Sequence, residues 1–326
     1  MTLEQLRIFV AVADKQHVTQ AARELNLTQS AASAAIAALE GRYRIKLFDR
    51  VGRGIMLTHG GRTFLSEARA VLARAHSAEQ ALRDIAGLKG GKVVVGASQT
   101  VANCWLPSRL LTFQAVHPSI EVGVRIGNTE RVAADVREGM VDLGFVEGDI
   151  DDGALSVRRI DDDALVVVVG PRHPFAKLGS LPGNWMTQTP SILRERGSGT
   201  RDMFERALKK RGLRLSDLTV QLELASNEAI RTAVEAGLCA TALSNLIVEK
   251  SLRANTLIQI DGELAKRSFC LLRHKERHAS QAETALLAII AGAKPSPSGL
   301  CLAAKTVGSR TLFLGFRLHR RRVDTR

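Results

Sequence analysis

The sequence predicts three parts: a small amino-terminal domain of helices with a β-hairpin, one long connecting helix, and a larger α/β domain. Three observations carry this prediction. Residues 18–40 read as two short helices around a tight turn, and an apolar stripe of helical period runs from about Gly61 to Leu88. Short Val-rich runs then alternate with helical stretches as far as Ile290. A chain of 326 residues is long enough for two or three such units with sizeable cores.

Leu3, Leu6, Ile8, Phe9 and Val12 stand at core spacing in a first helix. Ala21, Ala22 and Leu25 give the second helix a small apolar face, and Asn26 tolerates a tight turn. Thr28 is a good N-cap for the third, whose stripe reads Ala31, Ala32, Ile36 and Leu39. Small residues let the two helices cross closely. An ordinary helix pair of an all-α domain has the same pattern. The segment that follows, KLFDRVGRGIMLT from Lys46 to Thr58, reads as strand, basic glycine turn and strand. That context points to a winged helix-turn-helix, which lays its third helix in the major groove of DNA. Thr19, Thr28, Gln29, Ser30 and Ser33 are the candidate groups for bases and phosphates there, with Arg50 and Arg53 on the wing for the phosphate backbone.

Residues 1–60 resemble the DNA-binding domain of the LysR-type transcriptional regulators. The resemblance rests on LEQLRIFVAVADKQHVTQAARELNLTQSAASAAIAALE followed by KLFDRVGRGIMLTHGG, and continues more weakly to about residue 290. Ala34, Ala35 and Ala37 stand where many relatives carry polar or basic residues. Direct base hydrogen bonds are therefore expected to be few, with thymine methyls and DNA shape contributing more.

The stripe of the long helix contains Phe64, Leu65, Ala68, Val71, Leu72, Ala75, Ala78, Leu82 and Ile85. Such a helix spans about 40 Å, too long to bury itself on one small domain. Its natural partner is the same helix of a second subunit; packing on its own effector domain is the alternative. The family resemblance implies the dimer, and a homotetramer beyond it.

After Gly90-Gly91 come the strand-like runs KVVVGAS, IEVGVRI, DLGFVEG and ALVVVVG, then PSIL, VQLELAS, TLIQI and SFCLLRH, with helices from Thr200 to Arg211, from Glu228 and from Ser280 to Ile290. Periodicity establishes the α/β class. The resemblance implies a two-lobed effector domain like the type 2 periplasmic binding proteins, with residues 91–162 and 267–290 in one lobe and 163–266 in the other. Ser98-Gln99-Thr100, Arg196–Arg201 and Ser226-Asn227-Glu228 each follow a strand and open a helical stretch, where free N–H groups suit a small oxyanion. Taken singly, each segment also reads as a plain helix cap. By resemblance, Ser98, Thr100, Ser198, Thr200, Ser226 and Asn227 match effector-cleft positions, and Asn128, Thr129 and Glu147 extend the set. Glu147 argues against an anion lying beside it. Arg194 and Arg196 offer positive charge.

The net charge of +13 is uneven. Residues 1–90 hold 13 Lys and Arg against 8 Asp and Glu, residues 91–290 hold 25 against 24, and residues 291–326 hold 8 against 1. A basic excess attracts polyanions without setting specificity. The tail, with its KPSPSG linker and Arg320-Arg321-Arg322, lies beyond the resemblance and is expected to be a disordered extension; a phosphate-binding cluster is the alternative. Glu4 and Arg7 in the first turn exclude a secretory signal, and no apolar run is long enough to span a bilayer, so a cytoplasmic protein is expected. Cys104, Cys239, Cys270 and Cys301 lack paired spacing and read as reduced thiols, with no metal site and no cofactor beyond a co-inducer.

No G-x-S-x-G elbow surrounds Ser198, and its glycines form neither a Walker loop nor a dinucleotide fingerprint, so no enzyme is expected. The expected function is a sequence-specific transcriptional regulator of double-stranded promoter DNA, controlled by a small anionic metabolite. A solute-binding protein of transport and a nonspecific nucleoid protein are the alternatives. The S-Q-T and R-E-R-G-S-G-T-R segments look most like the branch linked to carbon dioxide fixation and sulfur-anion responses.

Overall fold

The computed structural model describes residues 1–52, 54–86, 90–178 and 181–292, except for the side chain of Asp261. Arg53, Cys301 and the arginine cluster of the tail lie outside the described residues.

Helix α1 (Leu3–Lys15) starts in a reciprocal cap, with the Gln5 N–H donating to Thr2 Oγ1 and the Thr2 N–H donating to Gln5 Oε1. Helices α2 (Val18–Glu24) and α3 (Gln29–Tyr43) cross over Ala21, Ala22 and Ala32, all essentially without exposed surface. Asn26 takes φ +56° between them, and Thr28 caps α3 by accepting from the Ala31 N–H. Two expected core positions are corrected: Leu3 and Ala31 face solvent, because each lies one step off the stripe that meets the core. Phe9 anchors that core against Phe48 and Phe64. Strands β1 (Phe48–Val51) and β2 (Gly54–Leu57) form the antiparallel wing.

Thr58 caps α4 (His59–Ile85), the long helix. Phe64, Leu65, Ala68 and Leu72 pack on the amino-terminal core. The opposite end reaches the α/β domain of the same chain, where Arg74 donates to the Glu276 carbonyl at 2.6 Å and Asp84 accepts from the Gln281 N–H at 3.1 Å. Val71, Leu82 and Ile85 remain exposed.

In the α/β domain come β3 (Gly91–Ser98), a π-helical turn at Val101–Trp105 that runs into α5 (Leu106–Val116), β4 (Ile120–Gly127), α6 (Thr129–Glu138), β5 (Leu143–Glu147) and β6 (Leu155–Val169). There follow β7 (Ser191–Arg194), α7 (Gly199–Lys210), β8 (Val220–Leu224), α8 (Asn227–Ala236), β9 (Ala240–Ser244), α9 (Asn245–Arg253), β10 (Ile258–His274) and α10 (Gln281–Gly292). The strand order is β4-β3-β5-β10-β6-β9-β7-β8. Neighbours at either end of the order run parallel, but β6 and β10 pair antiparallel with each other and with their flanking strands. The sheet is therefore mixed, where the alternating pattern predicts a parallel one. ALVVVVG is only the end of β6, and TLIQI and SFCLLRH are two ends of β10. The polar stretches between, Arg158–Asp163 and Glu263–Ser268, hid the continuity because they carry charge where the two strands pass from one lobe to the other. Separate cores fill the two halves, one around Trp105, Phe113 and Phe269, the other around Phe204, Leu208 and Leu165.

Candidate DNA interface and interlobe cleft

On α3, the Gln29 amide donates to Ser33 Oγ one turn away at 3.1 Å, and Ser30 shares a hydrogen bond with Thr28 Oγ1 at 3.0 Å. Gln29 and Ser30 are exposed and Ser33 is half-buried, which leaves short polar groups and the methyls of Ala34 and Ala37 on the outward face. Thr19 is half-buried on α2. The Thr28 hydroxyl is committed to its cap. Arg50 is exposed on the wing strand opposite Ile55.

The second cluster lies where the lobes meet. Strand β3 ends on Ser98 and leads into Thr100, β5 ends on Glu147, and α6 begins at Thr129, all four buried. From the other lobe come Arg194 at the end of β7, Ser198 and Thr200 at the start of α7, and Asn227 at the start of α8, also buried. Burying so many polar groups is tolerable only where they satisfy each other. Asn227 Nδ2 donates to Thr100 Oγ1 at 3.3 Å, its backbone N–H donates to Gln99 Oε1 at 3.0 Å, and its Oδ1 accepts from Arg194. Thr129 Oγ1 donates to the Glu147 carbonyl at 3.1 Å.

At the centre is Arg267 of β10. Its guanidinium donates to Asp163 Oδ2 of β6 at 2.7 Å, to Thr200 Oγ1 at 2.9 Å and to Thr100 Oγ1 at 3.3 Å, and stands 3.7 Å from Glu147 Oε1. One cation thus ties both crossing strands and both lobes together. Ser98 and Thr100 donate in turn to the two oxygens of the Glu147 carboxylate, Thr100 at 3.3 Å. Gly199 is required by close approach: a Cβ there falls 2.8 Å from Thr129 Oγ1, so only glycine lets α7 start against β5 and α6. The Ser198 hydroxyl, 1% exposed, makes no cap bond and finds no hydrogen-bond partner among the described residues.

The structure thus gathers Ser98, Thr100, Thr129, Ser198, Thr200 and Asn227 into one buried cluster. Asn128 lies at its edge, where it caps α6 and donates to the Arg196 carbonyl at 3.3 Å. Ser226 stands apart: it is the plain cap of α8, accepting from the Ala229 N–H at 3.2 Å. Of the two candidate arginines, Arg194 is buried and Arg196 exposed. Sequence reasoning missed Arg267 and Asp163. The available signal was an acid in IDDDAL and a base in AKRSF, each inside a run otherwise suited to a buried strand. Among the described residues, no cluster of three or more potential ligands could hold a metal ion, and no helix is long and apolar enough to cross a membrane.

A winged helix-turn-helix joined by a long helix to a two-lobed α/β domain defines the class of DNA-binding regulators with a substrate-binding domain. Two family models match the chain: the bacterial regulatory helix-turn-helix protein, lysR family, over residues 3–62, and the LysR substrate binding domain over residues 86–294. The chain belongs to the LysR family of transcriptional regulators. It is 34% identical over 284 residues to the uncharacterized HTH-type transcriptional regulator YeiE of Escherichia coli K12, covering 86% of this chain and 94% of that one. It is 32% identical to a probable RuBisCO transcriptional regulator of Cyanophora paradoxa, covering 86% of this chain and 88% of that one. Of solved structures, the CcmR regulatory domain of Synechocystis PCC6803 in complex with 2-PG superposes with a TM-score of 0.56 at 25% identity, covering 62% of this chain and 96% of that one.

Proposed function

We propose that this regulator responds to a small oxyanionic metabolite held between its effector lobes at Ser198 and Thr200, with Ser98, Thr100 and Asn227 forming the hydrogen-bonded wall that positions the site. The observation that carries this reading is the unpartnered Ser198 hydroxyl, buried at the amino end of α7, a helix of 12 residues. The first turn of a helix leaves its N–H groups without intrahelical partners and carries partial positive charge. A buried donor without a partner is unfavourable, and a bound acceptor relieves it. The CcmR regulatory domain, to which this chain is similar, was solved in complex with 2-PG, which supports a small-molecule ligand for the effector domain.

Ligand binding acts on DNA only by favouring one arrangement of lobes and linker over another, with coupling of about 1–3 kcal/mol. The exposed apolar face of Val71, Leu82 and Ile85 on α4 supports a dimer through the linker helix, and the family habit a tetramer. Calorimetry with an organic and inorganic anion panel tests the cleft. Thr100→Ala and Ser198→Ala are expected to lose affinity for the ligand that binds; unchanged affinity in both variants removes the cleft from this position.

A further inference from the structure

Glu147 sits where the proposed anion would sit. Its carboxylate is 1% exposed and accepts the hydroxyls of both Ser98 and Thr100. A hydroxyl has a single proton to give. Those two donors are therefore spent on Glu147 and unavailable to a ligand. Thr100 Oγ1, as acceptor, is also taken by Asn227 and Arg267. The donors left at the lobe boundary, among the described residues, are the Ser198 hydroxyl, the Thr200 hydroxyl, which accepts from Arg267 and keeps its own proton, and the N–H groups of the first turn of α7.

That first turn lies directly on Glu147. A Cβ built at Gly199 falls 3.0 Å from Glu147 Cγ. An acceptor seated on Ser198 and the α7 amides consequently meets the lone pairs of a buried carboxylate. Nor does the cluster hold an uncommitted cation: Arg267 faces Asp163 and Glu147, while Arg194 is paired with Glu195 at 2.7 Å. A bare anion would add charge to a buried site that is already neutralised, and would do so against a like charge.

We infer that Glu147 is a specificity-determining residue that admits only oxyanions retaining an acidic proton. Such a ligand accepts from Ser198 and the α7 amides and donates its O–H to the Glu147 carboxylate, turning a repulsion into a charge-assisted hydrogen bond. Anions with no proton at neutral pH are excluded, even at equal size and shape. The inference rests on the oxyanion reading proposed above and deepens it by naming the protonation class.

Inorganic phosphate and sulfate make the test, because both are tetrahedral and only phosphate keeps a proton at pH 7. Full-length protein is titrated with each by calorimetry. The wild type is expected to bind phosphate at least about tenfold more tightly than sulfate, a difference of about 1.4 kcal/mol. Glu147→Gln presents an amide donor in the same volume, so its preference is expected to fall to parity or invert in favour of sulfate. Circular dichroism and melting of the variant establish that it is folded. The wild-type comparison needs no variant and stands alone if it is not. Equal binding of the two anions by the wild type, or an unchanged preference in folded Glu147→Gln, overturns the inference while leaving the cleft reading intact. Binding of neither anion also overturns it; the cleft reading is then decided separately by the Thr100 and Ser198 variants against the wider panel.

Discussion

Arg69 on the linker helix donates to the Glu138 carboxylate of the effector domain, and its other terminal nitrogen donates to Asp14 of α1. The guanidinium is 8% exposed, and both acids hold it firmly charged despite its burial. One side chain therefore joins the DNA-binding domain, the linker and the lobe whose α6 begins at the interlobe cluster. Helix α6 is a rigid element, with Thr129 touching Glu147 at its start and Glu138 touching Arg69 at its end. It is the continuous element that connects the interlobe cluster to the joint of α4 with α1, and the route tested next.

Arg69→Met is expected to be destabilising by about 1–3 kcal/mol, because it removes the charged hydrogen bonds of a buried guanidinium while Asp14, 36% exposed, and the half-buried Glu138 regain water. Glu138→Gln keeps a hydrogen-bond acceptor and leaves Asp14 in place, so its loss is smaller. Its larger effect is expected on signalling: specific DNA binding persists while the ligand-dependent change in the footprint shrinks. Urea unfolding and footprinting check the two parts, and a full ligand response in Glu138→Gln refutes the route.

Gly139 closes α6 at φ +77°, and a Cβ there collides with the Ala73 Cβ of α4 and with Arg277. Gly139→Ala combines left-handed backbone, at about 1–2 kcal/mol, with overpacking of the same joint at about 1–3 kcal/mol. Denaturant unfolding is expected to show a loss of at least the first amount. A neutral result means that α4 does not pack on α6 in solution.

Glu40 near the end of α3 accepts from the Leu47 N–H at 2.7 Å, the Phe48 N–H at 3.2 Å and Lys46 Nζ at 3.0 Å, fastening the recognition helix to the wing. Burial pushes its carboxyl up, but the Leu47, Lys46 and Phe48 donors outweigh burial and hold it below the usual glutamate range. A lowered folded pKa means stability that is present above the unfolded value and lost as pH falls through the folded one. Glu40→Ala is expected to cost about 1.5–3 kcal/mol at neutral pH, from the lost charged hydrogen bonds. The gap between the melting curves of wild type and variant is expected to narrow as pH falls through the folded pKa of Glu40, leaving only the neutral hydrogen bonds; a gap that does not change with pH excludes this origin.

Arg50→Ala, on the exposed edge of the wing, is expected to weaken binding to all DNA sequences alike and to reduce the salt slope of log affinity by about 1. Ser33→Arg puts bulk on the groove face of α3 without touching its cap, so helicity is retained and recognition disturbed. Altered base preference with an unchanged salt slope in Arg50→Ala refutes the wing assignment.

The amino-terminal domain was legible because its determinants are local. The Thr28 cap, the positive φ of Asn26 and the alanines at the helix crossing act within a few residues of one another, and each is written in the order of the chain. In the α/β domain the helix starts were also legible, since caps and apolar strand runs are local too. The long strands β6 and β10 were not, because their middles are charged. Asp163 and Arg267 are tolerable inside a sheet only through each other, and no local pattern pairs residues so far apart in sequence. The same reason hid the place of Ser226, whose setting between a strand end and a helix start looks the same in sequence as that of Ser198.

By itself, the sequence determined the helix-turn-helix, the wing, the long helix, the α/β alternation and the residue types available at each strand end, all consequences of local geometry and periodicity. The tertiary structure decided which of those ends meet. It turned Arg194 inward and Arg196 outward, centred the cluster on Arg267, buried Glu147 against Ser98 and Thr100, and left the Ser198 hydroxyl without a partner among the described residues. The physical reason is that buried charge and hydrogen bonding are settled between groups distant in the chain: a carboxylate's meaning depends on which donors surround it once the lobes come together.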